Sequence, residues 1–69
     1  MPLTLARHGN TCVIKRITGK DDTIRHLENM GLIIGHEVTV ITESAGNLIL
    51  KVKGCRIAVD KALAARIYI

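Results

Sequence analysis

The side chains able to hold a divalent metal ion are His8, His26, His36, Glu37 and Cys55, which between them offer imidazole, carboxylate and thiolate donors. A single element presents two such donors to a tetrahedral ion when they stand as C-x-x-C or H-x-x-x-H, and neither spacing occurs. His26 and His36 bracket a helix end and a turn, so convergence there stays open. The expectation is exposed polar residues without a ligand role, and no metal-ligating set is assigned. For nucleophilic catalysis the chain has Cys12 or Cys55, histidines and acids, but no spacing that gathers a nucleophile, a base and an orienting group. Gly19-Lys20 is followed by Asp21 and lacks a glycine five residues upstream, so it is not a phosphate-binding loop. Gly31 and Gly35 precede a strand instead of joining a strand to a helix, which argues against a dinucleotide site. The chain is expected not to be an enzyme.

The remaining chemistry is electrostatic. Ten Lys and Arg against six acids leave a net charge of +4, which suits an acidic partner of some kind. Lys51, Lys53 and Arg56 fall on adjacent predicted strands and are the best placed to track phosphates. Single-strand binders stack bases on aromatic rings, however, and Tyr68 is the sole aromatic residue. No nucleic acid is expected as partner, and scattered solvated charges are the plainer reading.

These residues must be carried by a small scaffold. A chain of 69 residues has room for one domain, 1–69, that buries only about 60% of the surface its unfolded form exposes. The residues are 48% apolar with no Phe or Trp, so the core must be aliphatic. No apolar run reaches the roughly 18 residues of a membrane span, and the opening Met1–Arg7 lacks the charged-then-apolar order of a signal peptide. A cytoplasmic protein without direct membrane insertion is expected, with Cys12 and Cys55 as free thiols and mainly small buried hydrophobes.

The organising segment is Leu27 to Val38. Asp21 and Asp22 suit the cap and first turn of a short helix over about 22–30, whose Ile24, Leu27 and Met30 face the core. Gly31 supplies the left-handed residue that ends it, with Leu27 and Leu32 placed for the hydrophobic contact of a Schellman motif. Ile33-Ile34-Gly35-His36 then reads as a type II turn. Before the helix lie an extended arm and a strand over Thr11–Ile17, where Ile14 and Ile17 are an odd number of residues apart and demand a bulge or bend. After it come a strand over Glu37–Ile41, a polar turn over Thr42–Asn47, a strand alternating at Leu48, Leu50 and Val52, a tight turn at Lys53-Gly54 and a strand over Cys55–Val59. Asp60 caps a helical turn near 60–65, and a last strand places Ile67 and Ile69 inward.

The pattern Leu27-x-x-Met30-Gly31-Leu32-x-x-Gly35-x-x-Val38 resembles the signature of the FeoA family, ferrous iron transport protein A. Gly9, Cys12, Ile14 and Ile17 resemble its opening strand, and Leu48, Leu50, Val52, Gly54, Ile57, Val59, Ala64 and Ile67 match its closing half, so about Leu5 to Ile69 is covered. The resemblance implies a mainly β fold, a small SH3-like β-barrel of about five strands. It implies a non-enzymatic accessory or regulatory protein of ferrous iron uptake that binds the cytosolic, GTP-binding part of the membrane transporter FeoB. The chain would then lie peripheral to the inner membrane through its partner. The family commonly has proline where this sequence has Ile34, a substitution that leaves the turn less constrained.

Leu32, Ile33 and Ile34 form an apolar run between two glycines, and exposed apolar groups on a loop suggest recognition. The candidate partner-binding residues are therefore Arg25, His26, Leu32, Ile33 and Ile34, with Arg25 and His26 as polar rim, unless Ile33 or Ile34 plugs the barrel end. No cofactor is required, and a weak site for Fe2+, Zn2+ or Mn2+ stays open. The alternative reading is a metal-responsive regulatory module like the carboxyl-terminal SH3-like domains of iron- and manganese-dependent repressors. Those normally follow a DNA-binding domain, whereas this sequence opens at Met1 without one. A basic nucleic-acid-binding barrel is a more distant alternative, and homo-oligomerisation stays open.

Overall fold

The glycine-punctuated segment forms as its local chemistry dictates in the computed structural model, which describes residues 1–69. Helix α1 spans Asp21–Asn29, with Asp21 and Asp22 both in its first turn, where they oppose the positive end of the helix dipole. The expected aspartate cap is not formed. The capping position falls on Lys20, one residue earlier, and no side chain bonds the free amides there. At the other end Gly31 adopts φ +92°, the Leu32 N–H donates to the Leu27 carbonyl at 3.0 Å and the Gly31 N–H to that of Glu28 at 2.9 Å. This is the paired bonding of a Schellman motif, and Leu27 and Leu32, the residues it brings together, are both fully buried.

A Cβ at Gly31 would sit 3.2 Å from Val52 Cγ1, so the position requires glycine for space as well as for φ. The next turn closes with the His36 N–H donating to the Ile33 carbonyl at 3.0 Å while Gly35 holds φ +91°, as a type II turn demands. Proline fits the position before that glycine because the Ile34 N–H makes no backbone bond. Ile34→Pro is expected to raise stability by about 0.4–1 kcal/mol through the unfolded state, read as a higher urea midpoint at unchanged m-value.

Two sheets make the body. One orders β1 (Thr11–Val13), β3 (Glu37–Ser44), β4 (Asn47–Val52) and β5 (Cys55–Asp60) as β1-β3-β4-β5, and the other pairs β2 (Arg16–Ile17) with β6 (Ile67–Tyr68), all antiparallel. The sequence suggests one strand over 11–17, but the chain breaks at Ile14-Lys15 and changes sheet. That break answers the odd spacing of Ile14 and Ile17, since the bend lets both turn inward, at 0% and 8% exposure. The expected turn over Thr42–Asn47 contracts to Ala45-Gly46, because β3 continues to Ser44. Both Ala45-Gly46 and Lys53-Gly54 have positive φ at their two central residues, the type I′ geometry that matches strand twist. A register shift between Val40 and Thr42 leaves Ile41 unpaired and bends β3 around the core.

The core holds 13 residues, all Leu, Ile, Val or Ala, and no polar side chain is buried within it. The amino-terminal arm is part of it. Leu3 lies in a 3₁₀ turn over Leu3–Leu5 and is fully buried, Pro2 bridges Tyr68, and the Ile69 N–H donates to the Met1 carbonyl at 2.8 Å. The two chain ends therefore close the small sheet together.

Helix α2 (Lys61–Ala64) is a single turn capped as the sequence suggests, with the Leu63 N–H donating to Asp60 Oδ1 at 2.8 Å. Asp60→Ala is expected to cost about 0.5–2 kcal/mol, checked by urea denaturation, because α2 has no other side-chain cap. The Lys61–Glu43 ion pair at 2.6 Å is solvent-exposed and adds little.

Candidate partner-binding site

The candidate site is the link between α1 and β3, and its backbone is fixed at both ends. The Schellman motif anchors its start. Its finish is pinned to the β1 side, where the Gly35 N–H donates to the Ile14 carbonyl at 2.8 Å and the Ile14 N–H to the His36 carbonyl at 3.0 Å. On this frame the apolar run divides. Leu32 is fully buried, Ile33 is half-buried and Ile34 is 58% exposed.

Leu32 therefore belongs to the core and not to a contact surface, for a physical reason. It follows the left-handed glycine, where a Schellman ending folds its side chain back onto the helix. Ile34 does not plug the barrel. At the first central position of the turn it projects outward, a large apolar group held in water. Arg25 and His26 are exposed on α1.

One residue is added by the structure. Val13 is 46% exposed and lies opposite Glu37 in the β1–β3 ladder. The Ile14–His36 and Ile14–Gly35 bonds continue from that pair, so the turn carrying Ile34 begins beside Val13. Alternation with half-buried Cys12 and buried Ile14 marks Val13 as outward in the sequence. Its place beside the turn depends on strand pairing between residues more than twenty positions apart, which local pattern does not report.

The metal-capable residues do not assemble. No group of three His, Cys, Asp or Glu side chains lies close enough to hold an ion. His8, His26, Glu37 and Cys55 are exposed, Cys12 is half-buried, and His36 turns Nδ1 away from solvent without a hydrogen-bond partner. Cys55 is not the buried hydrophobe expected, because it opens β5 directly after the solvent-facing Lys53-Gly54 turn. The surface has no pocket, as a densely packed small barrel leaves none. Lys51 and Arg56 face each other across β4 and β5, exposed, with Lys53 in the adjoining turn. Arg16 lies over Tyr68, its guanidinium carbon 4.8 Å from the ring centroid, so one face of the sole aromatic ring already has a cation on it. No helix is long and apolar enough to cross a membrane.

Comparison with known proteins agrees with the fold. The family model described as the FeoA domain matches residues 1–69. A Methanocaldococcus jannaschii protein provisionally named Fe(2+) transport protein A is 32% identical over 68 residues, covering 99% of this chain and 83% of its own. A crystal structure of an iron uptake regulatory protein, FeoA, superposes with a TM-score of 0.87 at 35% identity, covering 96% of this chain and 88% of that one. A manganese-dependent transcriptional repressor superposes with a TM-score of 0.89 over all of this chain and 40% of its own, and at 18% identity that likeness shows the fold alone. A family model that spans the whole length, together with a relative 32% identical over nearly all of both chains, makes this chain a member of the FeoA family, which is associated with ferrous iron transport.

Proposed function

We propose that the protein is a non-enzymatic accessory and regulatory protein of ferrous iron uptake that binds the cytosolic, GTP-binding part of a FeoB-type transporter through the Ile33–Gly35 turn. The observation that carries this reading is Ile34, 58% exposed on a loop whose backbone is pinned on both sides. An apolar group presented to water on a hydrogen-bonded turn gains the transfer of its surface out of water on binding. Val13 and half-buried Ile33 extend the apolar surface, and Arg25 and His26 supply its polar rim. Family membership supports the transport setting. The protein works in the cytoplasm, reaches the inner membrane through its partner and needs no cofactor, the iron being the transporter's cargo.

Purified protein is expected to bind the cytosolic domain of its own FeoB in at least one of the nucleotide-free, GDP-bound and GTP-analogue-bound states. Absence of binding in all three, measured by calorimetry, overturns the reading. Anaerobic titration with Fe2+, Mn2+ and Zn2+ separates the adaptor from a metal-responsive module: an adaptor gives no tight one-to-one heat, and such a signal for any of the three ions favours the module.

A further inference from the structure

The outer edge of β5 is unpaired, and its residues are complementary to themselves. The two-residue turn at Lys53-Gly54 makes Val52 and Cys55 the closing hydrogen-bonded pair of the β4–β5 hairpin. Alternation then turns the backbone groups of Ile57 and Val59 toward β4 and those of Arg56, Ala58 and Asp60 outward. None of those three residues donates or accepts in any of the 17 backbone bonds made outside helices and ladders. All three are exposed, and α2 leaves Ala58 uncovered.

We propose that this edge is a homodimer interface, in which β5 of one copy pairs antiparallel with β5 of a second copy about a two-fold axis at Ala58. In this register Ala58 faces Ala58, and each Arg56 faces Asp60 of the other copy. The bonds are a reciprocal pair at Ala58 and one from each Asp60 N–H to the Arg56 carbonyl opposite. Asp60 uses Oδ1 to cap Leu63, which leaves Oδ2 for the guanidinium. The small central residue lets the backbones approach without a clash.

Neighbouring registers lack this fit. Sliding by two residues sets Arg56 against Ala58 and loses both ion pairs, and sliding further sets Arg56 against Arg56 or Asp60 against Asp60. A single strand pair buries much less than the roughly 1,600 Å² of a standard stable interface, so association is concentration-dependent and modest. The Ile33–Gly35 turn sits beside β1, at the other end of the strand order from β5, so the two proposed surfaces use different edges of the sheet. The inference is independent of the FeoB reading.

The test is sedimentation of the full chain from about 0.01 to 1 mM, with amide hydrogen exchange on the same samples. The native protein is expected to shift from monomer to dimer across that range, with the Ala58 and Asp60 amides gaining protection as the dimer forms. Arg56→Glu places two like-charge pairs across the axis and is expected to weaken self-association about tenfold or more, as is Asp60→Lys. An equimolar mixture of the two variants restores the dimer. The carboxylate introduced in one chain then faces the ammonium introduced in the other, and the unaltered Asp60 of the first faces the unaltered Arg56 of the second. A strictly monomeric native protein throughout the range overturns the proposal. So does a dimer whose Ala58 amide exchanges at the monomer rate, or one that both variants form as well as the native chain.

Discussion

Leu32→Ala is expected to lower the unfolding free energy by about 2–5 kcal/mol. Leu32 is fully buried, sits beside an equally buried Leu27 at the helix stop, and belongs to a core of only 13 residues. The backbone around it is fixed by the Gly31 and Leu32 bonds to α1 and by the turn bond at His36, so the site has little freedom to collapse onto the lost methyls. A domain of this length has a total stability of roughly 3–10 kcal/mol, and the variant should therefore stand at or near the edge of unfolding at 25 °C. Urea denaturation followed by far-ultraviolet circular dichroism measures it. Ile34→Ala, on the exposed side of the same loop, should change stability by less than about 0.5 kcal/mol. Similar costs for the two substitutions would contradict the division of the apolar run into a core residue and a surface residue.

That division also shows how far sequence carries. The helix stop, the type II turn, the Asp60 cap and the alternation in β4 were readable because each depends on residues a few positions apart. The core role of Leu3 was not readable, because it depends on bonds between the first and last residues, where no periodic pattern exists. The odd interval between Ile14 and Ile17 announced a bend but not that the chain leaves one sheet for another, a property of β6 and of the chain end. The run at 32–34 was visible as apolar, and the burial of Leu32 followed from the glycine before it. The outward placement of Ile34 required the turn's orientation against β1.

Ile34→Asp carries the second large expected effect, a loss of FeoB binding of at least tenfold with the fold intact. Burying the exposed 58% of Ile34 in an interface gains on the order of 1–2 kcal/mol by taking apolar surface out of water, and a carboxylate there would instead carry a desolvation cost. Stability is expected to change little, because the native side chain is 58% exposed and its N–H carries no backbone bond. Arg25→Ala and His26→Ala at the rim should weaken binding less. Any contribution from Arg25 should fade as salt rises, since exposed charges are screened over about 10 Å at 0.1 M.

The most direct measurement is a paired calorimetric titration of the native protein and Ile34→Asp into the cytosolic GTP-binding domain of the cognate FeoB, in the nucleotide state that binds best. A saturable complex is expected for the native chain and at least a tenfold weaker one for the variant, with matching circular dichroism spectra. Equal affinity for the two, with both chains folded, would show that FeoB is held by some other surface and that the exposed Ile34 turn is not the docking element.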